Sequence, residues 1–149
     1  MPTYVAKVPA GLLSAAQKLA LARAITTRHN QASGAPKFIA QVVIDEDGPT
    51  STRYVGGEPA SEADARGHIW IRGDIKAGRT PEFKEQVALG IVDDVAAISG
   101  VRREFVWVYL DDIAVDGLVE FGKVLPKSVG EEAAWYASLP EDIRAKLGK

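Results

Sequence analysis

The sequence predicts an α/β fold of the α+β kind, in which two β-α-β repeats build one sheet with both helices on the same face. Three observations carry that expectation. Shifted against itself by 67 positions, the chain sets Phe38-Ile39 on Phe105-Val106, Ala10-Gly11 on Ala77-Gly78 and Ala24-Ile25 on Ile91-Val92. Each half reads as strand, helix, strand. The 149 residues, 46% of them hydrophobic, are enough for one buried core.

Taken in order, the first strand is expected over 3–8, its helix over 12–30, and its second strand over 37–45, the last mostly apolar as a buried strand should be. Repeat one thus spans about 2–46. The stretch DGPTSTRYVGGEPASEADARG, about 47–67, is rich in Gly, Pro, Ser and Asp and reads as a linker with a short hairpin around Tyr54 to Gly57. It is long for a turn and suits lining a site or covering an edge. Repeat two, about 68–112, opens with a strand over 68–75. Thr80 suits an N-cap, Pro81 the first helical position and Gly100 a left-handed C-cap. Between them Phe83, Val87, Ile91, Val95 and Ile98 recur at helical spacing. A strand over 105–110 closes the unit, and both parallel crossovers are expected to be right-handed. The tail, 113–149, reads as turns carrying Glu120, Trp135 and Tyr136, then a short helix from about Pro140. All of this is expected to form a single domain. The sheet face without helices calls for burial against other subunits, as do Trp135 and Tyr136.

Composition narrows the function classes. Net charge is −2 and the 18 basic residues are scattered, which gives a nucleic-acid surface no support. Without cysteine there are no disulfides, thiolate nucleophiles or zinc-thiolate sites. No apolar run approaches the roughly 20 residues that span a bilayer, and no leader precedes Pro2. A soluble cytoplasmic protein is expected, with no membrane or nucleic-acid partner, no metal and no cofactor. Met1 before a small residue is usually trimmed, and trimming here would expose the secondary amine of Pro2, a rigid base when neutral and an acid when protonated.

Pro2 ahead of a strand, a doubled β-α-β unit and the absence of cysteine together resemble the tautomerase superfamily, whose members use an amino-terminal proline. The likeness is nearest to the cis-3-chloroacrylic acid dehalogenase group. It runs over nearly the whole chain through MPTY, AITTRH, FIAQV, YVGG, AGRT, IVDDV, VWVY and VEFGKVLP, whose order and spacing are more specific than any one stretch. The resemblance implies a tautomerase-like homotrimer with active sites at subunit boundaries. It implies working roles for Pro2, His29, Arg79, Tyr109 and Glu120, and places Lys76 where the family has a further arginine. Lysine offers a compact charge without the two-pronged fork, so a substrate carboxylate would be oriented more loosely.

Taken on their own, several of these residues have ordinary readings. His29 shares a helical stripe with Leu21 and Ile25, as a buried histidine would. Arg79 precedes the Thr80 cap, where a helix start attracts anions. Tyr109 ends an apolar strand, and Glu120 lies in a turn-rich segment. Trp70 and Trp107 read as packing, and Asp93-Asp94 as solvated, because adjacent helical residues face different ways.

Two chemistries fit a small carboxylate substrate. In the first, Arg79 and Lys76 hold the acid, Glu120 with Tyr109 activates water for the β-carbon, and protonated Pro2 gives a proton to the α-carbon. That is hydration of a small unsaturated three-carbon acid, with loss of halide or carbon dioxide where the substrate allows. In the second, neutral Pro2 shuttles a proton in keto-enol tautomerisation of a 2-oxo acid. A non-catalytic trimeric binding protein is the third alternative. Lys76 and Arg79 lower the amine pKa and Glu120 raises it.

Overall fold

The computed structural model describes residues 2–47, 54–59 and 68–149. Its elements are β1 (Thr3–Val8), α1 (Ala15–Ser33), β2 (Gln41–Glu46), β3 (Tyr54–Val55), β4 (Glu58–Pro59), β5 (Ile69–Lys76), α2 (Pro81–Ser99), β6 (Val106–Ile113), β7 (Val119–Glu120), β8 (Lys123–Val124), α3 (Val129–Ala137) and α4 (Glu141–Lys146). The main sheet runs β2-β1-β5-β6. β1 pairs β2 in parallel and β5 pairs β6 in parallel, while β1 and β5 join the two units antiparallel. No helix among the described residues is long and apolar enough to cross a membrane.

Strand alternation settles which face holds the core. Tyr4, Ala6 and Val8 of β1 and Ile69, Ile71 and Ile75 of β5 are buried against Leu21 and Ile25 of α1 and Val87, Ile91 and Val95 of α2. The other face carries Val43, Trp107 and Tyr109 exposed. Two polar links, one of them an ion pair, tie the helices together. Arg28 reaches Asp94 through two bonds of 2.6 and 2.8 Å, and Gln17 donates to the Ile98 carbonyl at 2.9 Å. Asp93 pairs with Arg103 at 2.6 Å. Both aspartates are therefore ion-paired rather than simply solvated, each to a different element, as their divergent directions on the helix require.

The helix caps correct the expected boundaries. Ser14 accepts from the Gln17 amide at 3.2 Å while the Gln17 side chain accepts from the Ser14 amide at 3.0 Å, so α1 begins at Ala15, not Leu12. It runs on to Ser33, past Asn30, and ends at Gly34 with φ 68°; α2 ends the same way at Gly100 with φ 75°. Ser14 and Thr80, Gly34 and Gly100, and the trios Leu21-Ile25-His29 and Val87-Ile91-Val95 each lie 66 residues apart, one less than the shift that aligns the aromatic pairs. In that register His29 occupies the place that Val95 fills in the second helix.

β2 begins only at Gln41, because Lys37–Ile39 forms a 3₁₀ turn after Pro36, and as an edge strand it leaves Val43 exposed instead of buried on both faces. β6 extends to Ile113, beyond the expected Leu110. The two aspartates it crosses are neutralised, Asp111 by Arg72 at 2.9 Å and Asp112 by Lys84 at 2.5 Å. In the linker, β3 and β4 form a hairpin about Gly56 and Gly57, both at positive φ; its flanks, 48–53 and 60–67, lie outside the described residues. The tail is more structured than turns: β7 and β8 pair, and α3 precedes α4. Within the chain Trp135 donates to the Val124 carbonyl at 2.9 Å, its ring tilted against Phe121 with centroids 6.2 Å apart, and Tyr136 meets Trp135 edge-on. Trp107 is exposed, edge-on to His68 at 4.2 Å, and so is no core residue.

Gly73 pairs with Tyr4 in the sheet, and a Cβ there would lie 2.4 Å from Tyr4 Cε1 and 2.8 Å from Leu110 Cδ2. The Tyr4 ring is fully buried and cannot yield. Gly73→Ala is expected to lower stability by about 1–3 kcal/mol, read from urea unfolding midpoints.

Candidate active site

The register Thr3↔Asp74 sets the start of β1 beside the end of β5, so Pro2 lies near Lys76. Past β5 the chain turns through Gly78 and delivers Arg79 to the start of α2. Because α1 crosses back from the end of β1 to the start of β2, its last turns return His29 to the same end. Pro2 is buried, and its carbonyl accepts from the Gln41 amide at 3.0 Å.

Glu120 arrives on the β7–β8 hairpin, whose two turn residues, Phe121 (φ 52°) and Gly122 (φ 76°), are both left-handed. That conformation costs a non-glycine residue about 1–2 kcal/mol. The Phe121 ring offsets this by stacking on Phe38, with centroids 6.3 Å apart, and leaning on Trp135. Lys76 Nζ donates to the Pro126 carbonyl at 3.3 Å and ties the hairpin's exit to the sheet.

These residues enclose a cavity of about 300 Å³. Pro2, His29, Lys76, Arg79 and Glu120 all line it, with Pro36, Ile39, Leu125 and Pro126 as apolar walls and Glu132, Trp135 and Tyr136 supplied by α3. Tyr109 is not among them. It lies on the helix-free face, 51% exposed, with its ring against Trp70 at 5.9 Å. Five of the six residues singled out in the sequence thus meet in one chain and the sixth stands apart.

His29 is 5% exposed. Its Nδ1 lies 2.8 Å from the Tyr4 hydroxyl, and its ring meets those of Tyr4 and Phe83 edge-on, each at 5.9 Å. Burial, and after it the Arg79 charge, push its pKa down to about 4, so the ring is neutral at pH 7. Burial also moves the Tyr4 hydroxyl well above the ordinary phenol range. The Arg79 guanidinium rests on the Phe83 ring at 5.1 Å, a contact that leaves its N–H fork available to an anion. Cations and carboxylates lining one cavity beside a buried neutral imidazole suit capture and protonation of a small acid. Among the described residues no three His, Cys, Asp or Glu side chains converge on a metal position.

The family model described as "Putative oxalocrotonate tautomerase enzyme", Tautomerase_3, matches residues 1–137. The crystal structure of N1, a member of the cis-3-chloroacrylic acid dehalogenase family, is similar at 32% identity with TM-score 0.85, covering 98% of each chain. The chain belongs to the tautomerase superfamily, in its cis-3-chloroacrylic acid dehalogenase-like group. A second solved structure, native Ps01740, is 30% identical over 79% of this chain and 99% of its own, with TM-score 0.71. Q0 fused 4-OT, a wild-type symmetric trimer, is 25% identical over 84% of this chain and 95% of its own, with TM-score 0.70. No curated protein matches.

Sequence reasoning missed Tyr4, Glu132 and the place of Trp135 and Tyr136 in this tautomerase-family cavity. Strand alternation puts Tyr4 on the core face, a signal that was available. Nothing local marks the nine-residue α3 as a wall, since Ser128 makes no side-chain cap bond.

The depressed His29 pKa makes stability pH-dependent. The unfolded ring takes its proton near 6.5 and the folded one near 4, so the stabilisation is complete above 6.5 and declines as pH falls toward 4. Urea unfolding at pH 7 and pH 4.5 is expected to show wild type losing on the order of 2 kcal/mol more than His29→Gln. Equal losses would mean that burial does not hold the imidazole neutral.

Proposed function

We propose that this protein is a tautomerase-superfamily hydratase whose Pro2 amine, exposed by loss of Met1, protonates the α-carbon of a small unsaturated three-carbon acid. The observation that carries the reading is the meeting of Pro2, His29, Lys76, Arg79 and Glu120 around one cavity. Arg79 and Lys76 hold the carboxylate and draw charge from the multiple bond, His29 donates a hydrogen bond, and Glu120 takes a proton from water as its oxygen bonds to the β-carbon. With propiolate the first product is an enol that becomes 3-oxopropanoate. With 3-chloroacrylate the added hydroxyl shares a carbon with chlorine, and collapse to the aldehyde releases chloride and a proton. Decarboxylation of the β-oxo acid is a further step open to the site. Each acid-base step contributes about 10² to 10⁴ in rate.

The working assembly in this proposal is a homotrimer. The helix-free sheet face exposes Val43, Trp107 and Tyr109, an apolar surface of the kind that subunit packing covers. Q0 fused 4-OT, similar in fold, is a trimer. Tyr109 would then complete a neighbour's cavity and assist Glu120 with water. Lys76 in place of a forked arginine leaves the acid less firmly aligned, which favours hydration of the slim propiolate over 3-chloroacrylate.

The family model favours a second reading, tautomerisation of a 2-oxo acid by neutral Pro2. The two readings need opposite protonation states of the amine. Propiolate hydration is expected to fade as pH rises through the amine pKa, whereas tautomerisation should grow, and Pro2→Ala is expected to lower kcat/KM at least about a hundredfold. Hydration independent of pH across that range, or an unimpaired Pro2→Ala, would remove the acid role. Absence of any turnover of unsaturated or 2-oxo acids would favour a binding protein.

A further inference from the structure

The Tyr4 hydroxyl has one hydrogen-bond partner among the described residues, His29 Nδ1 at 2.8 Å, and the Tyr4 side chain is 0% exposed. A phenol proton in an apolar interior must be donated to something, because leaving it unpaired is costly. The hydroxyl could instead accept from Nδ1–H, but its own proton would then be stranded. Tyr4 therefore donates, Nδ1 accepts, and the imidazole proton sits on Nε2, the nitrogen left to the cavity that His29 lines.

The rest of the surroundings agree with that tautomer. The groups packed around the ring are Tyr4 from β1, Phe83 from α2 and Arg79 from the turn before α2. None of these three is an acid; the carboxylates on the open side are Glu120 and Glu132, across the cavity, and burial outweighs them in keeping the ring neutral. Arg79 also disfavours the imidazolium. The ring of Tyr4 is held in place by the absence of a side chain at Gly73, directly across the sheet, where a Cβ would strike Cε1 and Cδ1. A glycine in the interior of a central strand weakens the strand and here makes room for the ring.

We propose that Tyr4, seated over Gly73, is a positioning residue that fixes His29 as a neutral Nε2–H donor, so that the site presents a directed hydrogen bond rather than a further positive charge to its substrate. The consequence for ligand class rests on reading the cavity as a carboxylate site. An Nε2–H donor serves an acid oxygen or a developing enolate without adding a cation beside the Pro2 amine, whose protonated form a further positive charge would disfavour.

Tyr4→Phe keeps the ring over Gly73 and removes only the hydroxyl. In long-range ¹H–¹⁵N spectra at pH 7, wild-type His29, assigned by its absence in His29→Gln, is expected to show Nε2 protonated and Nδ1 bare; Tyr4→Phe is expected to show exchange between the two tautomers. Wild-type protonation at Nδ1, or an unchanged pattern in Tyr4→Phe, would overturn the proposal. This readout needs no substrate, so it is separable from failure of the functional reading. With propiolate as probe, Tyr4→Phe is expected to lose about tenfold in kcat/KM. Added to His29→Gln, whose amide carries its own donor, it is expected to cost little more. An equal tenfold loss in both backgrounds would mean that Tyr4 acts by another route.

Discussion

The antiparallel pairing of β1 with β5 is the constraint on which the site depends. Each β-α-β unit alone would place its strand ends and helix ends predictably, but only the join, in the register Thr3↔Asp74, brings the first residues of one unit to the end of the first strand of the other. A slip of one residue would turn Tyr4, Ala6 and Val8 out of the core. It would also part Tyr4 from Gly73, the one position in that stretch of β5 able to lie beneath a buried ring. The same contact thus locks the register and aims a hydroxyl at His29.

Electrostatics at the site follow from that geometry. Three cations, Lys76, Arg79 and Lys149, line the cavity with Glu120 and Glu132, and a further basic group, His29, is kept uncharged by burial. Arg79 spends its flat face on Phe83, which orients the fork without pairing it to a protein carboxylate among the described residues. Glu120 is displayed by a hairpin whose Phe121 is held left-handed against an aromatic stack, a local cost that fixes the carboxylate next to it. Strain adjacent to a candidate base is consistent with a hairpin selected for placement rather than for turn propensity.

Much of this was legible in the sequence because the signals were local. Thr80, Pro81 and Gly100 mark their helix through backbone chemistry that does not depend on the rest of the fold. The start of α1 is legible too, in the Ser14–Gln17 capping box, which sets it later than the expected Leu12. Pairs such as Phe38-Ile39 and Phe105-Val106 align the repeat one residue out of the register that the caps define. In the cap register, His29 falls on Val95, and a polar residue in an apolar stripe points to function. What stayed hidden was long-range: the hairpin that carries Glu120, the α3 wall with Glu132, and the separation of Tyr109 from the cavity all depend on tertiary placement that neither periodicity nor capping encodes.

The central claim is that a free secondary amine at Pro2 transfers protons in a cationic cavity. Peptide mapping of the natively expressed chain, with turnover followed against the fraction of termini acylated, tests it most directly. The account predicts a chain beginning at Pro2 and activity lost in step with acylation. A retained Met1 in active protein, or full activity with the terminus fully acylated, would contradict it.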